Sequence, residues 1–518
     1  VRALLSVVVC LALVDTATAV DGGSLLYRNS FGLYYLEDPF DLTQNPAFLH
    51  QIDRWRLFTN LSNYEDANSL LLGASGRLGP GSIGLFYETD RQAWSDESAL
   101  STDETTDVPS WTGSAGNDIL VTSASEARRY EEESTRHAFR ASYGVNFAAF
   151  SLGVSYRPSF SSESVTLYGS IDQGPDFGRD PLTWSRPSFE TDLRPGWNFA
   201  EAGRETRYDS RGGVLADGTE SESFAGDAEA EEDRHGLEIG SQLRFFKTVP
   251  IWVRLGAQSV KRTLDGSGTY TYGWSATEVD YRNDRLAGSE SITSTWSGDA
   301  LGGPDNHAFD GTEWSLEVVP RFAASAAVTL ELGLRYEAMR GDVTGRWTQD
   351  VLVNGMLDAG GVETWQGSQH IASTFDGDGD ATAYSVAPRA YLTYGAVEFA
   401  LGVGYSRAED EVSGSQLGEG TMSWSYDGAG GAGDWRYAGT SASRSERSFS
   451  HTTTSVSFPV ATKFKVTEKL ELRAGVEHAR ATTETKSRNS ARDDERFTIT
   501  DGAGNVVRQG PATRGREE

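Results

Sequence analysis

The stretch Ala149–Pro158, with the sequence AFSLGVSYRP, alternates strictly between apolar and polar residues. The apolar side chains occupy the even positions from Phe150 to Tyr156 and therefore share one face of an extended chain. The small or charged residues between them share the other face. This pattern is typical of a β-strand with one apolar and one polar side. The stretches 328–337 and 397–406 repeat it.

Segments with the same alternation recur along the chain, and most have the ~9–11 residues that a tilted membrane-spanning strand needs. The thirteen segments are about 54–62, 69–77, 82–89, 137–146, 149–158, 236–245, 251–260, 312–322, 328–337, 382–393, 397–406, 451–461 and 470–479. Short connections alternate with long ones between them. Short periplasmic turns and long extracellular loops are typical of an outer-membrane barrel.

The predicted fold is therefore all-β, a transmembrane antiparallel up-and-down β-barrel of about fourteen strands. The alternative is a soluble all-β repeat protein, which would need a packed core between two sheets. The second face of these segments is too polar for such a core. Within the long connections, the β-prone stretches 269–272 and 293–296 indicate hairpins that extend the barrel wall outward.

Composition agrees with a membrane barrel and argues against other classes of protein. The chain has 518 residues, 38% of them hydrophobic, and a net charge of −29. This charge disfavours nucleic acid as a partner, because phosphate binding needs a basic face. The seven histidines are scattered, and no nucleophile elbow or zinc-binding motif accompanies them. We therefore expect the protein not to be an enzyme.

The order of segments predicts four parts. Residues 1–19 form a signal peptide, with an apolar run and the cleavage signal Ala17-Thr18-Ala19, so the chain is exported to the outer membrane. Residues 20–53 form an N-terminal periplasmic or plug segment, and 54–479 form the barrel with long acidic extracellular loops. Residues 480–518 are predicted to be part of an extracellular loop in a truncated chain, since a bacterial barrel closes with an even number of strands.

The polar face of the predicted strands carries charges of both signs, which we expect to line the lumen. The lumen-lining candidates are Arg140, Arg157, Glu238, Arg244, Arg254, Glu317, Arg321, Glu331, Arg335, Arg389, Glu398, Glu471 and Arg473. One interpretation is a lattice of cross-strand ion pairs that stabilises the wall. The other is a transverse field across a pore constriction.

The N-terminal segment contains Asn45-Pro46-Ala47. This tripeptide, its place before the first strand and the strand number resemble the FadL-type outer-membrane transporters of hydrophobic compounds. The resemblance implies that Asn45, Pro46 and Ala47 position a hatch in the lumen and that the solute is a small hydrophobic molecule. The alternative for the segment itself is a periplasmic turn in which Pro46 starts a short helix.

Two other functions stay open at this point: a general porin-like diffusion channel, and a surface structural or recognition protein acting through its acidic loops. The expected partners are outer-membrane lipid and lipopolysaccharide, the solute, and the barrel assembly machinery that inserts such proteins. The sequence does not determine the oligomeric state.

Asp376, Asp378 and Asp380 have the spacing of calcium ligands in a loop. The EF-hand pattern is incomplete, because Ala381 stands at the glycine position and Ala387 at the position of the bidentate glutamate. A loop-bound calcium ion at the three aspartates is the one metal site that the sequence suggests, and no other cofactor is expected.

Overall fold

The structure is a computed structural model of one antiparallel sheet with a short 3-10 helix, η1 (Pro46–Gln51), on its inner side. It describes residues 45–52, 54–64, 67–108, 118–147, 149–173, 202–208, 214–246, 249–279, 285–298, 308–358, 361–429, 433–467 and 471–517. Among these residues, no helix is long and apolar enough to cross a membrane.

Within the described ranges, the sheet has seventeen strands. They are β1 (Arg56–Tyr64), β2 (Ala67–Leu78), β3 (Gly81–Val108), β4 (Asp118–Asn146), β5 (Phe150–Gln173), β6 (Ala202–Tyr208), β7 (Val214–Phe246), β8 (Val249–Val279), β9 (Arg285–Gly298), β10 (Ala308–Ala323), β11 (Val328–Asp358), β12 (Val362–Tyr394), β13 (Val397–Gly402), β14 (Gly404–Asp427), β15 (Trp435–Lys465), β16 (Glu471–Asp501) and β17 (Val506–Glu517).

The predicted all-β antiparallel fold is confirmed. Each of the thirteen predicted segments coincides largely with a strand, and β13 and β14 form one stretch interrupted at Val403. Two of the predicted short connections, 79–80 and 395–396, are two-residue turns. In these turns Gly79 and Gly395 have φ values of 61° and 60°, a left-handed conformation that favours glycine.

The two faces of the sheet have the polarity expected from the alternation. On β5, Leu152, Val154 and Tyr156 are 43–47% exposed on the outer face, whereas Ser151 and Ser155 on the inner face are 0% and 1% exposed. Apolar side chains outside and polar side chains inside are the reverse of a soluble protein. This is the arrangement of a transmembrane β-barrel, whose apolar face contacts lipid.

The strands extend far beyond a membrane at the end opposite the short turns. β11 has 31 residues, and at ~3.3 Å per residue it is about 100 Å long, against the ~25 Å height of an apolar band. We call this part of the sheet, beyond the outermost apolar aromatic residues such as Tyr156 and Tyr336, the outer extension. The hairpins predicted there are present, with Thr269 opposite Thr295 on β8 and β9.

The end of the chain adds strands to the outer extension. In the segment predicted to be part of an extracellular loop, residues 480–501 continue β16, and β17 pairs with the outer part of β16 from Ser490 to Thr500. The alternation of apolar and polar residues is missing there, because charged and hydroxyl side chains occupy both faces. A strand held by main-chain hydrogen bonds in a solvated hairpin does not require an apolar face.

Candidate functional site

The inner segment, Asn45–Ile52, forms a single capped turn that encloses η1. The Asn45 side-chain Oδ1 accepts a hydrogen bond from the Ala47 main-chain N–H at 2.9 Å. Pro46 occupies the first position, where no N–H is needed. The Ile52 N–H donates to the Leu49 carbonyl at 3.0 Å and ends the turn. The local sequence thus explains the short helix that was predicted to begin at Pro46.

This segment is buried against the inner face of the sheet. Ala47 and Leu49 are 0% exposed, Ile52 is 2% exposed and Asn45 is 2% exposed. Helix η1 contacts β2, β3, β4, β5 and β7. The segment rests on the same face of the sheet as the Arg157–Glu238 ion pair, which is the polar inner face.

A row of glycines allows this close approach. Gly144, Gly153 and Gly240 lie opposite one another on β4, β5 and β7. A Cβ atom on Gly144 would lie 2.1 Å from the Pro46 carbonyl oxygen, and one on Gly240 would lie 2.1 Å from the Asn45 Oδ1. On Gly153 it would lie 2.2 Å from the Pro46 carbonyl carbon. No other residue type fits at these positions, because distances this short are steric overlaps.

The other side of the segment is held by Phe48. Its ring meets the Trp252 ring edge to face, with centroids 6.1 Å apart and planes at 86°. Phe48, Trp252 and Val319 form a small buried apolar cluster that adds β8 and β10 to the contacts. The guanidinium of Arg321 lies 5.9 Å from the Trp252 ring centroid and 5.6 Å from that of Tyr391. Stacked cations of this kind are stabilised by the negative faces of the rings.

Charged residues on the next two strands lie in register with the row of glycines. Gly240 is opposite Arg254 on β8, which is opposite Glu317 on β10. Arg254 is ion-paired with Glu317 at 2.8 Å and with Glu238 at 3.8 Å, and Glu238 also binds Arg157 at 3.1 Å. The signs alternate along β5, β7, β8 and β10, so each carboxylate has a cation beside it. This arrangement stabilises the wall and presents no single sign of charge to the lumen.

A second polar network lies nearer the short turns. Glu331, whose side chain is 0% exposed, accepts hydrogen bonds from Arg389 at 3.0 Å and from the Tyr391 hydroxyl at 3.2 Å. Lys463 is paired with Glu398 at 3.9 Å. The first set of contacts joins β11 to β12, and the Lys463–Glu398 pair separately joins β15 to β13.

The remaining lumen candidates are placed as follows. The Arg140 guanidinium lies 4.4 Å from the Phe86 ring centroid, and Arg335 binds Glu337 on its own strand. The side chains of Arg244, Glu471 and Arg473 lie outside the described ones. Seven of the thirteen candidates thus take part in these ion pairs, and Arg321 stacks above the aromatic cluster. The seven are Arg157, Glu238, Arg254, Glu317, Glu331, Arg389 and Glu398.

Several contributors were not found from the sequence. Arg234 binds Glu232 at 2.5 Å and Glu313 at 3.3 Å, just beyond the end of the predicted strand. Phe48, Trp252 and the glycine row were also missed. Three glycines on the polar faces of adjacent strands were a usable signal, because glycine weakens a strand unless something approaches it closely.

The proposed calcium site is not formed as expected. Asp376, Asp378 and Asp380 lie in the regular strand β12 and on its exposed outer face, not in a loop. Alternate residues of an extended strand are ~7 Å apart, too far for one ion to be bound by all three carboxylates at 2.3–2.6 Å. Throughout the described ranges, no group of three or more histidine, cysteine or acidic side chains could hold a metal ion.

Comparison with solved structures finds channels and transporters. The chain is similar to the CymD monoaromatic hydrocarbon channel, with 14% sequence identity, 89% of this chain and 95% of that chain covered, and a TM-score of 0.28. For the toluene transporter TodX of Pseudomonas putida, the identity is 11%, the coverage 74% and 92%, and the TM-score 0.23. For the ferric-catecholate import receptor Fiu of E. coli K12, the identity is 7%, the coverage 89% of this chain and 79% of that chain, and the TM-score 0.21.

No protein-family model and no curated protein matches the chain.

Proposed function

We propose that the protein is an outer-membrane channel that passes small hydrophobic solutes, with the inner segment Asn45–Ile52 acting as its hatch. The observation that carries the proposal is the burial of this segment inside a sheet of inverted polarity. The polar residues of an inner face are stabilised by hydrogen bonds and ion pairs, and they do not require contact with an apolar segment. Phe48, Leu49 and Ile52 are nevertheless 5% exposed or less within it.

The apolar surface of the hatch favours an apolar solute. A water-filled pore conducts ions through polar walls, and its constriction is lined by charges or carbonyls. Here the groups beside the inner segment are Phe48, Trp252 and Val319, which form an apolar cluster. A hydrophobic molecule that displaces Phe48 would replace one apolar contact by another. A hydrated ion in the same place would lose water ligands, and the apolar cluster offers no polar group to replace them.

The ion-pair networks have a supporting role in this proposal. The alternating charges of Arg157, Glu238, Arg254 and Glu317 are paired at 2.8–3.8 Å, so they stiffen the wall beside the hatch. The outward apolar face then contacts outer-membrane lipid, and the long outer extension projects past lipopolysaccharide. Insertion of such a barrel would depend on the barrel assembly machinery.

Two measurements on the purified full chain test the proposal. In planar bilayers we expect small and intermittent ion currents, since the hatch blocks the lumen. In liposomes we expect faster uptake of a labelled small aromatic hydrocarbon than of a sugar of similar size. Steady large currents, together with rapid liposome swelling in sugars, would instead identify a general diffusion channel.

The matched variant is a deletion of residues 45–52. It is expected to raise ion conductance and to remove the preference for the hydrocarbon, because both depend on the same segment. A heat-modifiable band on a gel checks that the barrel still folds. If the deletion variant folds but conducts and transports like the natural chain, the segment is not a hatch.

A further inference from the structure

The polarity of the wall reverses in the outer extension. In the part of β8 near the hatch, Arg254 faces inward and Leu255 is 50% exposed on the outside. Further along the same strand, the inward positions hold Tyr270, Tyr272 and Trp274, and exposed polar residues occupy the outer ones. The inner face therefore changes from ionic to aromatic along a single strand.

Three inward-facing tryptophans lie flat on this wall. Trp296, Trp365 and Trp424 each stand directly opposite a glycine on the adjacent strand. Three atoms of each indole would lie at nearly equal distances from a Cβ on that glycine, 2.4–2.7 Å, 1.9–2.2 Å and 2.7–2.8 Å respectively. A ring whose atoms are equidistant from the wall is parallel to it. Each tryptophan therefore turns its second face toward the interior.

Several aromatic side chains lie side by side on this inner face. Tyr272, Trp365 and Trp424 pack around a buried cluster of Ile292, Val351 and Val353. The residues follow one another across β8, β9, β11, β12 and β14 in direct register, since Tyr272 is opposite Ile292 and Ile292 is opposite Val353. We call the surface made by Tyr272, Trp274, Trp365, Trp424 and Tyr426 the aromatic belt.

Carboxylates are set among the rings of the belt. Glu290 accepts hydrogen bonds from the Trp365 Nε1–H at 2.8 Å and from the Trp274 Nε1–H at 3.4 Å. Glu363 accepts one from the Tyr426 hydroxyl at 2.7 Å. Glu495 accepts one from Tyr437, and burial raises the pKa of that tyrosine to about 12. The phenol thus stays neutral and the negative charge remains on the carboxylate.

The combination of ring faces and carboxylates has a defined preference for ligands. The face of an aromatic ring carries negative electrostatic potential and attracts cations, most strongly tryptophan. A carboxylate that receives indole N–H groups holds its charge close to those faces. The same inner surface already shows one such contact, because the Arg508 guanidinium lies 5.6 Å from the Phe497 ring centroid.

We propose that the aromatic belt with Glu290 and Glu363 is a binding site for small organic cations, in particular quaternary or aromatic ammonium compounds. The charge complementarity selects this class: the belt supplies aromatic faces and acidic groups, whereas the region around the hatch pairs every carboxylate with a cation. The site lies in the outer extension, and it does not depend on passage of any solute past the hatch.

A pair of probes that differ in charge and little in shape tests the proposal. The full chain in detergent micelles is titrated with (3-hydroxyphenyl)trimethylammonium and with 3-tert-butylphenol by calorimetry. We expect the cation to bind at least tenfold more tightly than the neutral compound, and its affinity to fall as salt is raised. Equal affinity for both probes, or no binding of the cation, would overturn the proposal.

Variants locate the site. Glu290→Gln keeps a hydrogen-bond acceptor and removes the charge, so it should weaken the cation about tenfold and leave the neutral probe unchanged. Trp365→Leu should weaken the cation as well. The control is Glu409→Gln, an exposed carboxylate on the outer face of β14. If this control weakens the cation as much as Glu290→Gln does, the attraction comes from overall charge and the belt is not the site.

These outcomes are separate from those for the hatch. Failure of the cation to bind would leave the solute transport results unchanged, and a failure of transport would leave the titrations of the belt unchanged. A retained heat-modifiable band for each variant distinguishes lost binding from lost folding.

Discussion

Phe48 and Trp252 meet edge to face on the inner side of the sheet, with ring centroids 6.1 Å apart and planes at 86°. These residues are more than two hundred positions apart in the chain. Their contact joins the inner segment to β8, while the backbone of the same segment rests on glycines of β4, β5 and β7. The inner segment is therefore held by a ring contact and by steric fit.

Replacing Trp252 by Ala should release the hatch from one side. Removal of a buried tryptophan costs about 3–5 kcal/mol in a packed core, so the local cluster with Phe48 and Val319 would come apart. We expect more frequent openings and a higher mean ion current in planar bilayers. Trp314→Ala is the control, since Trp314 is 60% exposed on the outer face. An increase of similar size in this control would contradict the role of the contact.

A single methyl group at the glycine row should displace the hatch from the other side. Gly153→Ala places a Cβ atom 2.2 Å from the Pro46 carbonyl carbon, and backbone atoms cannot move aside as a flexible side chain can. We expect higher conductance, with little loss of barrel stability. Gly333→Ala is the matched control, because its Cβ would lie 3.6 Å from its nearest neighbours, an ordinary contact. The prediction fails if both variants conduct alike.

The ion pairs of Glu238 should show coupled energetics. Glu238 lies between Arg157 and Arg254, and its side chain is 10% exposed. Glu238→Gln leaves two guanidinium groups without their shared carboxylate and should lower the free energy of unfolding by about 1–3 kcal/mol. In the double variant with Arg254→Gln, we expect a coupling energy of about 0.5–3 kcal/mol. Denaturant titration of the four proteins measures it, and strictly additive effects would show that the pair is not coupled.

Asp410 in the outer extension should make stability depend on pH. Burial raises its pKa to about 6, and the neighbouring Glu409 adds to the shift. His451 stands opposite it on β15, bonded to Thr485, and Ala381 stands opposite it on β12. Between about pH 4 and pH 6, the folded chain keeps a proton that the unfolded chain has lost. The free energy of unfolding should therefore fall as pH rises through this window, by about 2–3 kcal/mol.

Asp410→Asn tests this prediction, because it should remove the decrease and stabilise the protein above pH 6. The matched control is Glu411→Gln on the exposed side of the same strand, which should keep the natural pH profile. Denaturation midpoints measured from pH 4 to pH 8 give the comparison. An unchanged profile in Asp410→Asn would assign the dependence to another group.

Much of the fold could be predicted from the sequence because the alternation is a local property. Leu152 and its neighbour Ser151 lie on opposite faces of β5, so a few residues are enough to show the alternation. Because lipid contacts one face and polar groups lie on the other, the two-residue period is unambiguous. The limits of the prediction have the same cause. β17 and the outer parts of β3, β4 and β16 lack a clean alternation, because water bathes the outer extension and no longer requires one face to be apolar.

The candidate site was predictable only in part, since it depends on which residues meet across the sheet. Asn45-Pro46 determines a capped turn by itself, through the asparagine side chain and the missing N–H of proline. That this turn rests on Gly144, Gly153 and Gly240, and that Phe48 reaches Trp252, was decided by strand register and curvature. A one-residue change of register would turn every side chain of a strand to the other face. The sequence by itself determined the strands, their two faces and the turn, whereas the tertiary structure decided which strands the turn contacts and which rings lie side by side.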